Sequence, residues 1–264
     1  MQRIIDCHTH FLGKEDFDLY KKSAVANKYI NIRGLNIAEM LSPFKFDDFK
    51  DVEDMFFLDS ADLENVDESI KLIKDDINHY SKILGIKIYL GYQKFYASDK
   101  RVEKIVDFAA ANNLAITFHC GEILDENDKS VYSPYSDAKY IKELAIRYPD
   151  TTFVASHLNW PNFDELFCLC NDFDNIYTCL SGTNDGGTLR ERDGQNHYIA
   201  SVINEFIVKY PKIKRKIMYG TDFFATSDEY NNVSSYKTLV DMLDLTEEEK
   251  EDVLCNNAMR AYKL

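Results

Sequence analysis

Apolar and polar residues follow two alternating periods along this chain. From about residue 85 onward, short β-branched or aromatic runs give way to segments with apolar residues every three or four positions, and back again. The run "GIKIYL" at 85–90 predicts a strand. "DKRVEKIVDFAAANN" follows, with Val102, Ile105, Val106, Ala109 and Ala110 at helical spacing, ended by Asn112 and Asn113. "LAITFHC" at 114–120 is the next strand. "SDAKYIKELAIRYP" predicts a helix with Ser136 as its N-cap and Pro149 as its stop. "TTFVASH" (151–157), "NIYTCLS" (175–181) and "KIMYGTD" (216–222) are further strands. The helices "NFDELFCLC" and "HYIASVINEFIVKYP" lie between them. Asn162 is the expected cap of the first, with Glu165 three residues on. "TEEE", from Thr246 to Glu249, is a capping box that opens a last helix.

Such alternation predicts parallel strands with helices packed outside. The N-terminal part adds "RIIDCHTH" as the first strand and weaker candidates at 28–32 and 54–58. Eight strands close a (β/α)8 TIM barrel, and 264 residues suit one. An open doubly wound sheet is the alternative, but no GxGxxG follows the first strand. No repeat, linker or low-complexity segment divides the chain, so one barrel domain over 1–264 is expected. The longest expected loop, "SGTNDGGTLRERDGQ" at 181–195, follows a strand. That puts it on the C-terminal face, where barrel sites sit.

Composition narrows the function. Hydrophobic residues are 45% of the chain, enough for a sizeable core, yet no apolar run approaches a membrane span. The N-terminus lacks a basic segment followed by an apolar one, so no signal peptide and a cytosolic location are expected. A net charge of −14 argues against a nucleic-acid partner. The basic cluster "KIKRK" at 212–216 is expected in a solvated turn before a strand. The six cysteines show no CxxC pairing, and most are expected as buried thiols. Strand alternation predicts that Cys7 and Cys120 face away from the histidines beside them.

Those histidines carry the chemistry. On a strand, His8 and His10 face the same side, about 7 Å apart along the chain. Neutral imidazole is a common zinc ligand, so two such rings can converge on one ion. An HxH pair alone is more often core packing. Here His119 and His157 also end strands, as does Asp222. Four of the six histidines and one aspartate would then share a barrel rim, which is the arrangement of a metal site.

The segments "IIDCHTH", "GIKIYLGYQ", "ITFHCGE", "ASHLNWP", "IMYGTDF" and the tail "NNAMRAYKL" resemble the amidohydrolase superfamily. They are most similar to the branch that includes aminocarboxymuconate semialdehyde decarboxylase and related hydrolases. The resemblance rests on HxH on the first strand, His on the fifth and sixth, and Asp on the eighth. It covers most of the chain from Ile4 and leaves out 12–54. It implies a barrel with one divalent metal, usually zinc, held by His8, His10, His119 and Asp222. Manganese, iron and cobalt accept the same donors. It further implies that His157 orients or deprotonates a metal-activated water. Asp222 then takes the water's proton and hands it to the leaving group. The implied reaction is hydrolysis of a small-molecule amide, lactone or ester.

Decarboxylation of a small carboxylic acid is the alternative within the branch. HxH leans toward hydrolysis, since an acidic residue in place of the first histidine accompanies decarboxylation. A barrel deoxyribonuclease is disfavoured by "GIKIY", where that group carries a metal-binding Glu, and by the acidic balance. A non-catalytic barrel is disfavoured because all five side chains are present. The branch often forms dimers, which makes a homodimer an open expectation. In other branches a lysine at the place of Lys87 is carboxylated and bridges two metals. Here Lys87 is read as a buried lysine paired with a carboxylate such as Glu122, which alternatively orients a histidine. Arg190 and Arg192 are candidates for a substrate carboxylate or are solvated loop charges. Tyr92 and Trp160 either wall the pocket or pack on helices. His79 and His197 are expected at the surface.

Overall fold

A computed structural model describes residues 3–22, 25–33, 46–125, 127, 129–183, 189–224 and 233–264, without the side chains of 189–193. The chain is a (β/α)8 barrel. Its first five staves are β1 (Ile5–His10), β2 (Lys28–Ile32), β3 (Met55–Ser60), β4 (Ile83–Ile88) and β5 (Ala115–Phe118). An antiparallel hairpin, β6 (Glu122–Leu124) and β7 (Ser130–Tyr132), is inserted after β5. The sixth and seventh staves are β8 (Phe153–Ala155) and β9 (Ile176–Cys179). The eighth comes in two pieces: β10 (Ile217–Met218) pairs with β9, and β11 (Phe223–Phe224) pairs with β1. All stave pairings are parallel. Between those pieces, Cys7 N–H donates to Tyr219 O (3.1 Å) and Asp222 N–H to His8 O (2.9 Å), which closes the ring.

Around it lie α1 (Lys14–Tyr20), α2 (Val66–His79), α3 (Lys100–Ala111), α4 (Lys142–Arg147), α5 (Phe163–Asp172), α6 (Leu189–Lys209) and α7 (Val233–Asp241). α8 (Glu247–Glu251) and α9 (Asn257–Tyr262) end the chain, joined by one π-turn. None of the described helices is long and apolar enough to cross a membrane. Strand period decides the layers. Ile86, Ile88, Ile116 and Phe118 point outward onto Val102, Ile105 and the other apolar faces of the helices. Ile5, Ile30, Ile32, Leu58, Val154 and Met218 point inward. From below, Cys255, Ala258, Ala261 and Tyr262 plug this inner cluster, and Tyr262 OH meets Thr117 Oγ1 at 3.0 Å.

β1 breaks its alternation. Between Asp6 and Thr9 it holds one more residue than β2 spans between Tyr29 and Asn31. Cys7 therefore joins the inner cluster with Ile5, Cys179 and Met218, although its neighbour His8 also faces inward. This corrects the expectation that Cys7 faces outward. Cys120, with no bulge beside it, packs in the outer layer as expected.

Three helix starts differ from the sequence reading. Asp137, not Ser136, caps the turn into α4, accepting from Lys139 N–H; the Ser136 hydroxyl donates to Ser133 O instead. Asn162 sits at the start of α5 without a side-chain cap bond. α6 begins at Leu189 rather than His197, because Gly194 and the charged run conceal the helical period. The box at Thr246 and Glu249 forms with both halves bonded. The hairpin β6–β7 was not expected, since three-residue strands are too short to show a period.

Candidate metal centre

The C-terminal ends of the staves bring the candidates together. His8 and His10 leave the end of β1, and Asp222 stands just before β11. His8 Nε2 lies 3.1 Å and His10 Nε2 3.3 Å from Asp222 Oδ1. One ligand atom from each of the three falls within 4.8 Å of the others. His8 Nε2 is buried and has no hydrogen-bond partner among the described residues, because its approach to Asp222 lacks hydrogen-bond geometry. A buried nitrogen left so is costly unless a ligand completes it. Backbone strain concentrates here too: Asp222 (φ 56) and His157 (φ 60) adopt the left-handed region.

His119 and His157 stand next to this trio rather than inside it. Their rings are 4.7 Å apart, and the His157 ring is 4.9 Å from that of His8. Their protons follow from their partners. His119 Nε2 lies 2.9 Å from Glu122 O, and His157 Nδ1 lies 3.0 Å from Ser181 O. A carbonyl oxygen only accepts, so each of these nitrogens carries the ring's proton. The other two, His119 Nδ1 and His157 Nε2, face each other at 3.1 Å with lone pairs. Burial pulls His157 to about 4, partly opposed by Asp222. It pulls His10 to about 4 likewise, and His119 well below its ordinary value with help from His157 and Lys87. A shared proton is therefore disfavoured at neutral pH, and a cation or a water hydrogen suits the pair.

Charge is poised the same way at the other groups. Burial alone would raise Asp222, but His157, His8 and the hydrogen bond from His10 hold its carboxyl well below the usual range. Burial and the Lys87 ammonium push His8 down, yet the Asp222 carboxylate outweighs them and its pKa is raised. The donor set of imidazole nitrogens and one carboxylate oxygen fits a divalent ion.

The remaining candidates divide. Lys87 is fully buried, but it donates to Ser156 Oγ (3.1 Å) rather than pairing with Glu122. The Glu122 carboxylate accepts from Ser130 within the hairpin, and its backbone oxygen, not its side chain, meets His119. Tyr92 stands edge-on to His119 at 5.0 Å, beside the site. Trp160 packs on Phe163 and Tyr198, toward α5 and α6. Arg190 and Arg192 lie in α6, with side chains outside the described residues. His79 and His197 are exposed. Two residues the sequence reading did not single out touch the histidines directly. Ser181 Oγ lies 3.2 Å from His8 Nδ1 and 3.1 Å from His157 Nδ1, and Gly182 abuts the His157 ring. A Ser-Gly pair at the end of a strand is the signal that was available for them.

Similarities to known proteins bear on the fold and the family. Among curated protein sequences none matches it. Several solved structures share its fold. A 5-carboxyvanillate decarboxylase from Sphingomonas paucimobilis is 11% identical, with a TM-score of 0.70 and 100% of both chains covered. An amidohydrolase from Burkholderia multivorans with bound zinc is 15% identical, with a TM-score of 0.70 over 99% of each chain. A probable 2-pyrone-4,6-dicarboxylic acid hydrolase from Acinetobacter baumannii is 12% identical, with a TM-score of 0.65 over 99% of this chain and 100% of its own. The family model described as Amidohydrolase matches residues 55–264, from β3 through α9, and the chain belongs to that family.

Proposed function

We propose that this protein is a metal-dependent hydrolase acting on a small-molecule amide, lactone or ester. The observation that carries the reading is the convergence of His8 Nε2, His10 Nε2 and Asp222 Oδ1, with His8 Nε2 buried and unpartnered among the described residues. His8, His10 and Asp222 would hold the ion, with the inward Nδ1 of the neighbouring His119 as the fourth donor. Zinc is the proposed metal, which the zinc bound by the Burkholderia multivorans neighbour supports. A divalent ion there supplies Lewis acidity, polarising a carbonyl and acidifying water. His157 Nε2 would accept a hydrogen from a water held there and orient it. Asp222 Oδ2, the oxygen not in contact with His8 and His10, would take the water's proton and return it to the leaving group.

Decarboxylation of a small carboxylic acid is a second reading, favoured by one residue. The buried Lys87 ammonium feels the charge of Asp222 while bonded to a neutral hydroxyl, so it can hold a substrate carboxylate. Metal analysis and a substrate screen test both. The purified chain should carry one metal per molecule. Its hydrolysis of amides, lactones or esters should vanish on chelation and return with zinc. Release of carbon dioxide without hydrolysis would select the second reading. Absence of metal binding in a zinc titration, or full activity in Asp222→Asn, overturns both.

A further inference from the structure

Ser181 lies two residues past the end of β9 and is fully buried. Its hydroxyl reaches side chains of three staves: His8 Nδ1 (3.2 Å), His157 Nδ1 (3.1 Å) and Cys179 Sγ (3.0 Å). Its carbonyl oxygen lies 3.0 Å from His157 Nδ1. A hydroxyl offers one hydrogen and two lone pairs. The carbonyl already fixes an N–H at His157 Nδ1, so the hydroxyl can only accept from that atom. His8 Nε2 makes no hydrogen bond among the described residues, so the ring's proton belongs on Nδ1, where the hydroxyl accepts it with its second lone pair; the hydroxyl's own hydrogen is then left for Cys179 Sγ. Every capacity of the group is then used.

We propose that Ser181 is the positioning residue that sets the protons of two staves' histidines, its carbonyl acting on His157 and its hydroxyl on His8. Both Nε2 atoms are thereby the ones left to the metal centre, as lone pairs wherever the rings are neutral. This inference rests on the metal reading above and adds the residue that presets it. Partners behind metal-bound histidines hold ring orientation and tautomer, and their loss costs about 10–100-fold in metal affinity. Without the hydroxyl, His8 Nδ1 keeps only the longer contact to Cys179 Sγ (3.7 Å), and the proton can move to Nε2, beside the Asp222 carboxylate. A zinc ion would then have to displace it.

The test uses the full-length chain. Zinc affinity is measured by competition with a chromogenic chelator, and imidazole protonation by long-range proton–nitrogen NMR of the zinc-free protein. In the wild type, Nδ1 should be protonated at both His8 and His157. In Ser181→Ala, zinc should bind about 10–100-fold more weakly. The His8 proton should shift to Nε2 while His157, still facing the carbonyl, keeps its own. Ser181→Thr, which retains the hydroxyl, should restore both signals. Wild-type His8 protonated at Nε2 alone, or an alanine variant binding zinc within about twofold of the wild type, overturns the inference. Should the wild type bind no zinc, the metal reading fails and the zinc-free spectrum of His8 still decides this one. Should the alanine variant not fold, the wild-type spectrum decides likewise.

Discussion

At Gly182 the backbone has φ +66, and a Cβ there would lie 2.6 Å from His157 Nδ1 and 3.3 Å from Asp222 Oδ2. Gly182→Ala therefore meets both backbone strain and a clash with the ring. The left-handed conformation costs an alanine about 1–2 kcal/mol. Displacing His157 should lower turnover by about 10-fold or more, since a misplacement near 1 Å costs on that order or worse. Steady-state kinetics beside a melting curve separate the two effects. Lys87 offers a second test at this scale. Burial, opposed in part by Asp222, depresses its pKa from 10.5 to about 8. A depressed pKa means that folding disfavours the charged form. Stability from this group is fully present above 10.5 and lost as pH falls through about 8. The shift corresponds to roughly 3 kcal/mol at neutral pH. Lys87→Met should thus melt higher than the metal-free wild type at pH 7, and the gap should close toward pH 10. A constant gap across that range would contradict it. The histidines and Asp222 were legible in the sequence because strand ends mark a barrel rim. The partners Ser156 and Ser181 were not, because they come from other staves and their spacing along the chain carries no trace of the contact.

Asp6 does the corresponding work between elements. Its carboxylate accepts from His8 N–H (3.2 Å) and from Thr221 N–H (3.1 Å) and hydroxyl (2.7 Å), and from the Tyr20 hydroxyl. It thus ties β1 to the bend before β11 and to α1. Asp6→Ala leaves buried donors without an acceptor and should cost about 3 kcal/mol in a denaturant titration. Loss of one exposed cap, by Thr246→Ala, should cost only about 1 kcal/mol. Element by element, the sequence was informative where a period was long. The span 28–32 coincides with β2, and α3 ends at Ala111, just before Asn112 as read. Where backbone geometry decides, it was mute. Whether Ser136 or Asp137 caps a turn depends on which side chain the chain's path presents to the free N–H groups. The bulge in β1 leaves no mark in "IIDCHTH", a run whose polar and apolar residues suit either phase.

For the whole molecule, the alternation of periods was enough to expect a closed barrel, and the split of the eighth stave into two short strands was beyond its reach. The π-turn and α9 fill the bottom of that barrel, with Tyr262 reaching Thr117 inside it. Tyr262→Ala removes the largest part of the plug and should destabilise the protein by about 3–5 kcal/mol while leaving the ligand atoms at the opposite end in place. Thermal melts with and without zinc would show this, the zinc-induced gain in stability being retained. The extra residue in β1 gives the barrel two storeys with separate rules. Below the phase shift, Ile5 and Cys7 serve the foundation; above it, His8 and His10 face the candidate metal centre. A library of variants confined to the upper storey would explore new reactions on unchanged footings, while one confined to the lower would tune endurance and leave reactivity alone.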